Sequence, residues 1–154
     1  KTDDRKAYLK HIHPDYSVFG EGDAYLHQGK DKEAIDYADS WGLDAIRARI
    51  YFLAGQLRAK LQVIDGIIST DEGQEQCGIV TFYAQSRSAV DIKSHLSEHR
   101  INVSISAGAG NLVSFEQRGI DAVVRASLHY YNTEQEIDYF IDTLLNYLQT
   151  TAVR

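Results

Sequence analysis

The run AVVRASLH, residues 122–129, holds the side chains with the clearest chemical use. Period-two alternation puts Val124, Ala126 and Leu128 on one face of a strand and Arg125, Ser127 and His129 on the other. An arginine in mid-strand offers five N–H donors in a rigid fork that fits a carboxylate bidentately, and a neighbouring hydroxyl and imidazole would extend such a site. The strand alone leaves a second reading open, in which this polar face is simply solvated.

Other constellations carry less. His11 and His13 with Asp15 put two imidazoles on one side of an extended segment, but spacing supplies no third ligand, and no metal site is expected. Cys77 stands at the start of a predicted strand with no basic neighbour to favour its thiolate, so a structural role is expected. Gly108-x-Gly110 lacks the rest of a dinucleotide fingerprint and follows no βαβ unit, which makes it a flexible loop. No nucleophile motif frames any serine. Tyr130 and Tyr131 are expected to cover a strand-to-helix join, and Trp41 to anchor a core or an interface.

The elements that position Arg125 follow from periodicity. Ile137, Phe140, Ile141, Leu144, Leu145 and Leu148 recur at three- and four-residue steps, predicting an amphipathic helix over 133–149. Thr133 and Glu136 have the spacing of a capping box at its start. A second stripe joins Ile35, Ala38, Gly42, Ile46, Ile50, Leu53, Leu57 and Leu61, predicting a helix over about 33–60, interrupted near Trp41-Gly42. Arg47, Arg49, Arg58 and Lys60 read as charge off that stripe. Asp65-Gly66 marks a turn, and Ile67-Ile68 a short strand.

CGIVTFYA places Val80 and Phe82 on one face, and INVSIS alternates Ile101, Val103 and Ile105 with Asn102, Ser104 and Ser106. Ala89, Ile92, Lys93 and Leu96 mark a helix between those strands. SAGAGNLVSFEQRG, before the last strand, is long for a connection inside a compact domain, as functional loops often are. The expected fold is α+β: a small, mostly antiparallel sheet of three to four strands covered by helices on one face, behind a long N-terminal connecting helix.

At 154 residues the chain suits one compact domain. Acidic residues exceed basic ones by 22 to 16, and no basic run can neutralise several phosphates, so no nucleic-acid partner is expected. Apolar stretches fall short of a membrane span, and the opening KTDDRKAYLK lacks the apolar core of a signal peptide. With one cysteine, these features lead to the expectation of a cytoplasmic protein.

Three stretches share a resemblance. VVRASLHYYNTEQEID (123–138) is similar to the closing strand and helix start of class V aminotransferase-like enzymes, the family of cysteine desulfurases, C–S lyases and epimerases. AIDYADSWGLDAIRARI resembles the helix leading from that family's large domain into its small one. CGIVTF and INVSIS resemble its first small-domain strands. The resemblance implies an uncertain N-terminal segment at 1–33 and a C-terminal small domain of a fold-type I pyridoxal phosphate (PLP) enzyme at 34–150. It implies that Arg125 grips a substrate α-carboxylate, and strand alternation adds Ser127 and His129 as candidates beside it.

Two departures narrow what is implied. Desulfurases carry a sulfur-accepting cysteine in the loop before the Arg-Ala-Ser strand, and SAGAGNLVSFEQRG has none. The expected branch is therefore C–S lyase, epimerase or transaminase. The Schiff-base lysine belongs to the family's large domain, and none of the seven lysines stands in its Ser-x-His-Lys pattern, so PLP is implied for the complete enzyme and none is expected on this chain alone. The implied partners are a PLP-binding large domain or a second copy, and a small amino acid. Two alternatives stand beside this: a non-catalytic binding or oligomerisation module with the same fold, and an isomerase-like domain using the N-terminal histidines. The latter draws on a likeness of residues 10–35 to the opening of ketosteroid-isomerase-like cone folds.

Overall fold

In a computed structural model of the chain, residues 31–71, 73–107, 115 and 118–150 are described. The N-terminal histidines, the strands expected around Gly20 to Gly22, and most of SAGAGNLVSFEQRG lie outside them. Two compact units divide the chain, Lys1–Arg49 and Ile50–Arg154.

In the first unit, α1 (Asp31–Trp41) ends where Gly42 takes a φ of +83°, a left-handed conformation that glycine enters without Cβ strain. The Gly42 carbonyl then accepts from Ile46 N–H, and α2 (Leu43–Gln62) begins. The expected interruption thus falls at its glycine. Trp41 is 43% exposed and meets Tyr37 edge-on.

The second unit holds β1 (Ile67–Ser69), β2 (Ile79–Ala84), α3 (Ala89–Glu98), β3 (Ser104–Ala107), β4 (Ala122–Ser127) and α4 (Glu134–Gln149). The strands form one antiparallel sheet in the order β1-β2-β4-β3, so β4 inserts between β2 and β3 and places Arg125 in an inner strand. This is the expected α+β architecture.

Alternation decides what each face buries. Val80, Phe82, Val124 and Ala126 point into a core closed by Leu53, Leu57 and Leu61 of α2, Ile92 and Leu96 of α3, and Ile137, Phe140, Ile141 and Leu144 of α4. Removing each large side chain from water is worth roughly 1.5–3 kcal/mol. Phe82 and Phe140 meet edge-on at 6.2 Å between centroids, joining sheet and helix at the centre of that core. On the opposite face Val123 meets Phe115 and Ile120 in a smaller cluster that Tyr83 borders.

Local signals fix the helix starts. Thr133 Oγ1 accepts from Glu136 N–H at 3.2 Å while Glu136 Oε2 accepts from Thr133 N–H at 2.9 Å, a complete capping box. Ser88 Oγ caps α3 through Asp91 N–H at 3.1 Å.

Two expectations are corrected here. INVSIS is strand only from Ser104, because the β4 ladder ends with Ala122 opposite Ala107 and Arg125 opposite Ser104, leaving Ile101 to Val103 outside it. Arg58, read as surface charge, is 7% exposed.

Candidate functional site

Arg125 sits on the sheet face opposite the helices, flanked across the ladders by Thr81 of β2 and Ser104 of β3. The residue is half-buried. Among the described residues no ion pair holds it, and its Nε is buried without a hydrogen-bond partner. An unsatisfied buried donor is costly, and an arriving carboxylate would supply the missing acceptor.

The Thr81 hydroxyl is committed elsewhere. Thr81 Oγ1 donates to Asp71 Oδ1 at 2.5 Å and accepts from Thr70 Oγ1 at 2.7 Å. Ser104 Oγ turns toward the Arg125 carbonyl at 3.5 Å. Neither hydroxyl is hydrogen-bonded to the guanidinium.

Asp71 is itself anchored from α2. Arg58 Nε donates to Asp71 Oδ2 at 2.8 Å, and Arg58 Nη2 donates to the carbonyls of Cys77 and Ile79, both at 2.8 Å. Asp71 Oδ1 also accepts Thr81 N–H at 2.9 Å, standing in for the backbone acceptor lost where β1 ends. One buried ion pair thereby sets the start of β2, against which β4 takes its register.

The other sequence candidates fall in different places. Ser127, the last residue of β4, lines a cavity of about 550 Å³ with Leu57, Arg100, Asn102, Tyr131 and Phe140, and Arg125 is not among its walls. His129 lies beyond the strand, in a turn closed by Asn132 N–H on the His129 carbonyl, with its ring stacked on Tyr131 at 4.3 Å. The alternation that would carry His129 to the Arg125 face stops two residues earlier. Tyr130 and Tyr131 stand at the join between β4 and α4. Cys77 is free and exposed, and its backbone carbonyl makes the contact to Arg58.

The family model for Aminotransferase class-V matches residues 31–140. The chain belongs to that family. Among class V relatives it is 31% identical over 112 residues to a probable cysteine desulfurase of Xylella fastidiosa, covering 73% of this chain and 27% of the relative. With the cysteine desulfurase of Haloferax volcanii it shares 32% over 113 residues, covering 72% and 26%. The chain therefore spans about a quarter of the length of these relatives. The fold agrees with an apo cysteine desulfurase of Thermococcus onnurineus NA1 at a TM-score of 0.68 and 23% identity, over 74% of this chain and 28% of that one. It agrees with the cystine C–S lyase C-DES in complex with cysteine persulfide at 0.59 and 21%, over 72% and 26%.

PLP is the cofactor this class V family implies, and the described residues do not fit it. Lys60 Nζ is bound to Asp138 Oδ1 at 2.7 Å, in a cavity that Asp65 and Asp142 also line, where a phosphate would meet carboxylates. Lys93 is exposed on α3. Neither side chain is placed as a Schiff-base partner with a phosphate cradle beside it.

Proposed function

We propose that this chain serves as the C-terminal small domain of a PLP-dependent class V enzyme, where it closes over a bound amino acid and clamps the substrate carboxylate through Arg125. The observation that carries the reading is Arg125 itself: half-buried, and among the described residues outside any ion pair and with no acceptor on Nε. The clamp contributes orientation, since a fixed carboxylate presents one Cα bond to the cofactor that the large domain would hold. The absence of a cysteine from residues 106–119 favours the C–S lyase, epimerase or transaminase branch, although the curated relatives above are named as desulfurases. The proposed setting is cytoplasmic. Among the described residues no helix is long and apolar enough to cross a membrane.

Supplying a PLP-loaded class V large domain in trans tests this. Activity on an amino acid should appear, and Arg125→Ala should weaken substrate binding on the order of 10- to 100-fold, matching about 1.5–3 kcal/mol for a charge-assisted bidentate contact. Full activity of the Arg125→Ala chain would defeat the proposal.

A second reading, an assembly module, draws on Val63 and Val90, which are 84% and 59% exposed. It predicts a stable oligomer in sedimentation that Arg125→Ala leaves intact.

A further inference from the structure

His95 and His99 stand one turn apart at the C-terminal end of α3, in the run His95-Leu96-Ser97-Glu98-His99. Positions i and i+4 share a helix face, and here the ring centroids lie 4.4 Å apart with 41° between planes. The arrangement lies apart from Arg125 and its sheet face.

Both rings are held in place. His99 Nδ1 is 2.9 Å from the His95 carbonyl oxygen. A carbonyl can only accept, so Nδ1 carries the hydrogen, and the neutral ring keeps its lone pair on Nε2. Ligating histidines use this arrangement, with one ring nitrogen tied to a carbonyl and the other open to a metal. His95 is fixed by stacking on Tyr147 of α4 at 4.3 Å and 15°. Rings ordered in advance lose little freedom when an ion binds.

The surroundings set the ion's charge and class. The terminal carbonyls of α3 place partial negative charge at this end of the helix, and Glu98 adds a carboxylate. Arg87, whose Cζ lies 5.0 Å from the Tyr147 ring centre, and Arg100, next in the chain, oppose a cation. Neutral imidazoles suit Cu(II), Ni(II) and Zn(II) rather than Mg²⁺ or Ca²⁺, and Cu(II) binds tightest among these. Among the described residues no group of three His, Cys, Asp or Glu surrounds an ion. Two protein ligands leave an open, exchangeable site whose remaining positions water fills. The His-x-x-Glu-His spacing matches a zinc-hydrolase motif, but with no third protein ligand among the described residues the pair can bind an ion without forming that catalytic centre.

We propose that His95 and His99 form an open two-histidine site for a late first-row divalent cation, with Cu(II) preferred. The test titrates CuCl₂, and separately NiCl₂, into the full chain carrying His11→Gln, His13→Gln and His27→Gln, which removes competing N-terminal imidazoles. One saturable equivalent is expected, with Cu(II) electron paramagnetic resonance showing coupling to two imidazole nitrogens. His99→Gln should remove one coupling and weaken affinity by at least about 10-fold, and His95→Phe, which keeps a ring against Tyr147, should do the same. Absence of saturable binding up to millimolar metal, or an isotherm that neither substitution alters, overturns the site.

Discussion

Arg58 and Arg125 are arginines of one sheet domain withdrawn from water by different amounts, with opposite fates. Arg58 is 7% exposed, with its Nε on a carboxylate and its Nη2 on two backbone carbonyls. Arg125 is half-buried beside the engaged Thr81 hydroxyl, with a buried Nε that no acceptor among the described residues satisfies. Burial alone therefore does not distinguish the two, whereas the state of their donors does. In Arg58 the Nε and Nη2 donors are spent on holding the fold, while the Arg125 Nε is left for a ligand.

The largest expected effect tests this contrast directly. Asp71→Ala strips the buried Arg58 charge of its partner and leaves Thr81 N–H and Oγ1–H without their acceptor, which should lower unfolding free energy by about 3–5 kcal/mol. Arg125→Ala should move it by less than about 1 kcal/mol, through lost packing of the side-chain stem. Urea unfolding at equilibrium measures both. Equal costs would make Arg125 a second structural arginine and remove the physical ground for the carboxylate clamp.

Gly78 sharpens the same contrast, because it lies between the two carbonyls that Arg58 reads. A Cβ at this position would stand 2.3 Å from Ile50 Cγ2 and 3.1 Å from the Leu128 carbonyl oxygen. Gly78→Ala forces α2 and β2 apart and should cost about 1–3 kcal/mol. Since that shift also moves the Cys77 and Ile79 carbonyls, its effect should fall short of additivity when combined with Arg58→Met. Strict additivity in the double-mutant cycle would show that Gly78 and the arginine act independently.

What the sequence disclosed follows the range of each interaction. The α4 stripe, its Thr133–Glu136 box, the Gly42 break and the alternation of β2 and β4 are local signals, and each reappears in the structure. Arg58 escaped because its partners lie 13 to 21 residues away, and a charged residue off an apolar stripe looks solvated from the helix alone. Thr81 and Ser104 beside Arg125 are products of strand register, which alternation does not specify. Ile101 and Val103 are apolar at strand spacing and so look like part of a strand, while only residues from Ser104 onward find a ladder. The His95–His99 pair drew no expectation, because the Tyr147 stack that orders the His95 ring is a tertiary contact.

A third arginine supplies the smallest expected change and one of opposite sign. Arg100 follows α3 with φ +62°, while its N–H reaches the Ser97 carbonyl at 3.0 Å and Ile101 N–H reaches the Leu96 carbonyl at 2.9 Å. This is a Schellman ending with arginine where glycine is usual. A left-handed conformation costs a side-chain-bearing residue roughly 1–2 kcal/mol, and glycine returns about 0.5–1 kcal/mol of that through its greater freedom when unfolded. Arg100→Gly should therefore raise stability by up to about 1 kcal/mol, in contrast to every substitution above. It also removes a cation next to His99, so Cu(II) should bind the variant more tightly than the parent chain. A loss of stability would mean instead that the Arg100 side chain contributes more through the cavity it lines with Ser127 than its backbone strain takes away.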